Sequence, residues 1–289
     1  MTVERDYSIS KENCQYSHIP LIALEGVGGS GKSHVGDLVK GSIEKQGFLV
    51  LSAKISGLGD SPRVARLREI NDYREKLIQD GLATDKILRD KRRDKIFRLA
   101  TRHQIQLLLS DLQHTEANIG ILDRTPIMPW VYASALDSEN PHLGEILDDG
   151  IKQTDTLGIS TLYYLEVKPE TAYSRIIARA CMIDSDPNKK AMQMCRQIGA
   201  DRETSEKIVE NAMELITNNP GLRPKDYRGW DFIPYAVMAK ECEKYTEVLE
   251  ELQSLHGIRC VPVDAERPVN QVTNSIMVDI KTSGLLQNI

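Results

Sequence analysis

Short apolar runs alternate along the chain with longer stretches that mix charged and apolar residues. The first run is Ile19-Pro20-Leu21-Ile22-Ala23-Leu24, ended by a cluster of glycines. A continuous apolar run of that length, bounded by turn residues, predicts a strand buried on both faces. A helical stretch follows over Lys32 to Gln46, then a second apolar run at Phe48-Leu49-Val50-Leu51. Gly57-Leu58-Gly59-Asp60-Ser61-Pro62 opens as a loop, and the chain turns charged and helical to about residue 75. A long helical segment spans Asp85 to Gln113, basic at its start with Lys91, Arg92, Arg93 and Lys95. Three further strands are predicted at Ile119–Leu122, Thr161–Leu165 and Ile258–Val263.

Strands alternating with long helices imply βαβ units and a parallel sheet covered on both faces. The expected fold class is therefore α/β, three layers, with a five-stranded parallel sheet flanked by helices. Residues 1–17 read as a polar N-terminal arm and residues 18–289 as one domain. Within it, the acidic turns and the Asn218-Asn219-Pro220-Gly221 stretch mark residues 180–232 as an insertion or enlarged helical lid.

Gly26-Val27-Gly28-Gly29-Ser30-Gly31-Lys32-Ser33 fits G-x-x-x-x-G-K-[ST] and stands between the first predicted strand and the first predicted helix. Glycines let consecutive N–H groups turn inward around phosphate oxygens, and the helix adds its positive end. Lys32 is expected on the β and γ phosphates and the Ser33 hydroxyl on Mg²⁺. The nucleotide-binding set is then Gly26, Gly28, Gly29, Ser30, Gly31, Lys32, Ser33 and His34, the last as a residue of the following helix and not as a base. ATP and Mg²⁺ are the implied cofactors.

Composition narrows the classes. The net charge of −5 argues against a broad nucleic-acid surface, and no apolar run approaches a membrane span. Cys14, Cys181, Cys195, Cys242 and Cys260 are odd in number and contain no CxxC pair. They predict reduced thiols in a cytoplasmic protein, without disulfide framework or zinc site. A guanine-reading N-K-x-D is missing, since the only Asn-Lys pair continues as Asn188-Lys189-Lys190-Ala191.

Several segments, in consistent order, resemble the thymidylate kinase family of nucleoside monophosphate kinases. Ala23-Leu24-Glu25-Gly26 is similar to its F-x-E-G opening, and Leu99-Ala100-Thr101-Arg102-His103-Gln104 to its A-x-R-x-Q segment. Ile121-Leu122-Asp123-Arg124 resembles its D-R motif. Leu165-Glu166-Val167-Lys168-Pro169-Glu170, with Arg175 and Arg179, is similar to its L-D-x-x-P-E…R…R run. Tyr245 to Val272, including Val263-Asp264-Ala265-Glu266-Arg267-Pro268, resembles its last helix, last strand and adenine-flanking loop.

The resemblance implies γ-phosphoryl transfer from ATP to a nucleoside monophosphate. Asp123 joins Ser33 at the metal, and Arg124 clamps the acceptor phosphate through a guanidinium fork that matches phosphate oxygens. Arg175 and Arg179, an i,i+4 pair, are expected at the transferring phosphoryl, and Arg267 flanks the adenine. Arg102, Gln104, Arg124 and Tyr132 face the acceptor, and Arg228 is a further lid residue. A small-molecule acceptor and a homodimer are the implied partners, with no nucleic acid and no membrane.

The chain departs from the family on the acceptor side. Gly28 stands where the family carries an aspartate, and Ala53-Lys54-Ile55-Ser56 replaces its R-E-P turn. Thr125-Pro126-Ile127-Met128-Pro129-Trp130-Val131-Tyr132-Ala133 keeps the tyrosine of the following segment but not its serine or glutamine. Two alternatives stay open: a kinase for another nucleoside or small metabolite, and a nucleotide-binding regulator without turnover.

Overall fold

A computed structural model describes residues 19–55, 91–219, 222–224 and 233–286, with side chains omitted at 91–100 and at 103. The elements in chain order are β1 (Leu21–Glu25), α1 (Lys32–Glu44), β2 (Val50–Lys54), α2 (Lys91–His114), β3 (Ile119–Asp123), α3 (Met128–Leu136), α4 (Leu143–Leu157), β4 (Ile159–Glu166), α5 (Pro169–Cys181), α6 (Pro187–Gln197), α7 (Arg202–Asn218), α8 (Tyr235–His256), β5 (Arg259–Asp264) and α9 (Val269–Thr282).

The five strands form one parallel sheet in the order β2-β3-β1-β4-β5. By the right-handed crossover rule for parallel strands, this order puts α1 on one face and the connections after β3 and β4 on the other, so the sheet is flanked by helices. The α1 helix packs on α9, and α8 packs on α3, α5 and β5. Central strand β1 is buried along its whole length, as its unbroken apolar run requires. At the edge, β2 runs Val50–Lys54, starting two residues after Phe48 and ending three beyond Leu51. An edge strand buries only part of its surface, so Ser52 and Lys54 are tolerated in it while Leu49 stays outside, 57 % exposed.

Helices α3 and α4 fill a stretch where the hydrophobic pattern suggested no named element. Residues 180–232, read as an insertion or enlarged helical lid, contain the helices α6 and α7, packed with α5 into a three-helix unit. Its interior holds Cys181, Ala191, Cys195, Ile208 and Ala212, all fully buried. Asp186 and Asp201 cap α6 and α7 by accepting from Lys189 N–H and Thr204 N–H, which fixes where each helix starts. The arm at 1–17, the loop and helix expected over 57–75, and Arg228 lie outside the described residues. No described helix is long and apolar enough to cross a membrane.

Candidate functional site

The loop Gly26–Ser33 leaves the carboxyl end of β1 and enters α1, at the sheet edge where ligands of parallel α/β proteins bind. Gly26 has φ 142, and a Cβ there would meet the Leu165 carbonyl at 2.8 Å. Gly29 has φ 79 and lies against the Ala172 carbonyl of α5, so no side chain fits. Gly28 differs. Its backbone is not left-handed, and a Cβ would find only ordinary contacts with Ile176 and Met238 at 3.8 and 4.0 Å. Gly31 precedes α1 in the left-handed region, and no side chain caps the helix. The first-turn N–H groups therefore point, uncapped by a side chain, toward the mouth of the loop, the arrangement that receives an anion.

Lys32 curls back into the loop, its ammonium donating to Gly26 O at 2.6 Å, Val27 O at 2.8 Å and Ser30 Oγ at 3.2 Å. Burial, helped by the nearby positive charge of Arg124, lowers its pKa to about 7 against the pull of Glu25, Asp123 and Glu241.

Ser33 Oγ donates to Asp123 Oδ2 at 2.6 Å, joining the start of α1 to the end of β3. Asp123 Oδ1 is buried and has no hydrogen-bond partner among the described residues. One hydroxyl and one carboxylate with a spare oxygen suit Mg²⁺, which takes few protein ligands and completes its shell with water and phosphate oxygens. No group of three or more His, Cys, Asp or Glu side chains stands together among the described residues, so an all-protein cage is not offered there. Lys54, directly across from Asp123 in the β2–β3 register, approaches the same Oδ2 at 3.6 Å.

Arg124 follows at φ 82, the one non-glycine residue with positive φ among those described. Such a backbone costs on the order of 1–3 kcal/mol and persists only where the surroundings enforce it. Burial opposes the guanidinium charge, but Tyr245, Glu25, Asp123 and Glu241 around it raise its pKa overall. Lys32, Ser33, Asp123 and Arg124 thus stand close together at the carboxyl ends of β1 and β3.

The remaining candidates are spread further. Arg175 on α5 donates to Ser30 O at 3.4 Å and to Ala265 O at 2.7 Å, bracing the phosphate loop against the loop after β5. Arg179, one turn on, instead donates to Arg223 O at 3.2 Å. Arg267 pairs with Asp264 at 3.0 Å, and its neighbour Glu266 accepts from Lys168 N–H and Thr171 Oγ1 at the start of α5. His34 is exposed on α1.

Of the residues expected at the acceptor, Arg102 forms a two-pronged ion pair with Asp149 of α4, at 2.8 and 3.2 Å. Gln104 on α2 and Tyr132 on α3 are half-buried. Sequence reasoning passed over Glu25, Lys54, Glu241 and Tyr245 as site residues. Glu25 and Tyr245 lie inside the matched motifs, so a signal existed; Lys54 and Glu241 carry none that a single sequence reveals.

Neither a family model nor a curated protein matches the chain. Among solved structures, a deoxyadenosine kinase from M. mycoides with bound dATP is similar, at 15 % identity and TM-score 0.48, over 90 % of this chain and 99 % of that one. At that identity and overlap the likeness transfers no residue role and no substrate.

Proposed function

We propose that this protein is a kinase that moves the γ-phosphoryl of Mg-ATP to a nucleoside monophosphate, with dTMP the first acceptor to test. The observation that carries it is the meeting of Ser33 and Asp123 at 2.6 Å beside the phosphate loop, with Arg124 held next to them. Phosphoryl transfer asks chiefly for positioning and charge neutralisation, and this cluster supplies both. Loop N–H groups and Lys32 hold the donor phosphates, which draw the ammonium off Gly26 O and Val27 O. Ser33 and Asp123 would hold Mg²⁺, which supplies charge neutralisation between the phosphates. Arg124 offers its fork to the acceptor or to the transferring group. Arg175 steadies the loop from behind, and Arg179 and Arg267 serve the lid and the base.

A second reading, a kinase for another nucleoside or a small metabolite, is favoured by one feature. Arg102, the residue expected on the acceptor, is already paired with Asp149. The deciding experiment is ADP formation from Mg-ATP by purified protein across deoxynucleoside monophosphates and nucleosides. Acceptor-stimulated ADP that depends on Lys32 is expected. Stimulation by a nucleoside but not by dTMP selects the second reading. ATP binding with no transfer to any acceptor overturns both and leaves a nucleotide-binding regulator.

A further inference from the structure

Glu25 closes β1 and is 1 % exposed. A carboxylate so enclosed is costly unless both oxygens are bonded. Oε1 accepts from the Thr125 N–H and, at 2.6 Å, from the Thr125 hydroxyl. Oε2 accepts from the Gly26 N–H at 3.3 Å and from the Tyr245 hydroxyl at 3.0 Å. These donors belong to the start of the phosphate loop, the turn after β3 and the middle of α8, so one side chain joins three segments.

Thr125 directly follows Arg124, whose left-handed backbone needs enforcement from outside. The Arg124 N–H is fixed on Leu24 O at 3.0 Å, and the next residue is fixed on Glu25. Those anchors set the direction in which the Arg124 side chain leaves the backbone relative to Lys32. We infer that Glu25 is a positioning residue, which acts through Thr125 to aim Arg124 at the phosphate loop and through Tyr245 couples that aim to α8. Its catalytic consequence rests on the phosphotransfer proposed above; its hold on the turn does not.

Glutamine at 25 keeps an oxygen for Thr125 and turns its amide toward the Tyr245 hydroxyl, whereas alanine removes every acceptor. Kinetics of wild type, Glu25→Gln and Glu25→Ala, with the best acceptor and Mg-ATP, separate positioning from direct chemistry. Glu25→Ala is expected to lower kcat by about 100-fold, the cost of a small misplacement, at little changed KM for ATP. Glu25→Gln should recover to within about tenfold of wild type, as loss of a single hydrogen bond allows. A Gln variant as inactive as the Ala variant, with ATP affinity and melting temperature as in wild type, overturns the inference, because the charge itself would then act on the reacting groups. Glu25→Met, similar in size and lacking acceptors, replaces the alanine variant if that one fails to fold. The crystal structure of the Ala or Met variant answers without turnover. Arg124 relaxing to negative φ is expected, and an unchanged turn at 124–125 overturns the inference. If the wild-type protein transfers to no acceptor, the phosphotransfer proposal fails, and that structure alone decides whether Glu25 sets the turn.

Discussion

Around the phosphate loop, side chains from β1, α1, β3 and α8 are held by hydrogen bonds between elements, with Lys32 and Glu25 almost wholly enclosed. On the acceptor side, Arg102 is half-exposed on α2 and is held by a carboxylate from α4 instead of standing open. The proposed donor side is tied together by these bonds, whereas Arg102, expected at the acceptor, is engaged by Asp149 of α4. A phosphate group is the same in every substrate, so its cradle can be built in advance, whereas the acceptor has to be selected.

That contrast is broken most directly at Lys32. Lys32→Ala should lower turnover by about 100-fold or more, as loss of a preorganised charge at a reacting phosphate does, measured as ADP release at saturating acceptor. Asp123→Asn should act almost as strongly, on the order of 100-fold, and raise the Mg²⁺ concentration for half-maximal rate. An unchanged Mg²⁺ dependence would remove Asp123 from the metal site.

Within the loop, Gly29→Ala should destabilise by about 1–3 kcal/mol in urea unfolding, because a Cβ meets the Ala172 carbonyl and φ is positive. Gly28→Ala should cost no more than about 0.5 kcal/mol, in keeping with a site where nothing must move. Equal costs would sink the distinction drawn between them.

The pH dependence of ATP binding sharpens the donor side further. Without ligand, Lys32 titrates near pH 7; phosphate beside it favours the charged form, so ATP binding above that pH takes up a proton. Affinity should fall as pH rises above about 7, and calorimetry in buffers of different ionisation enthalpy should show proton uptake at pH 8. Arg102→Ala should be a mild change, under about 1 kcal/mol in stability for a partly exposed pair, with any kinetic effect confined to the KM of the acceptor.

Much of the proposed donor site was legible because its chemistry is local. The motif constrains four of the eight positions from Gly26 to Ser33, and the buried strand before it and the helix after it stand where the motif expects them. Asp123 and Arg124 were legible as a strand-end pair. Arg179 was expected beside Arg175 from the i,i+4 spacing, yet the neighbours differ: Arg175 reaches Ser30 and Ala265, whereas Arg179 reaches Arg223. Spacing places two side chains on one helix face but does not say what that face meets. The β2 boundary slipped because an apolar run measures burial, and an edge strand is only partly buried.

By itself the sequence determined the α/β class, the phosphate loop and the strand that bears Asp123, since periodicity and motif act over a few residues. Only the tertiary structure decided that Arg102 is answered by Asp149, that Lys54 faces Asp123 across the sheet, and that Glu25 joins Thr125 and Tyr245. Those partners lie far apart along the chain, and strand register and helix packing bring them together where no local pattern records it.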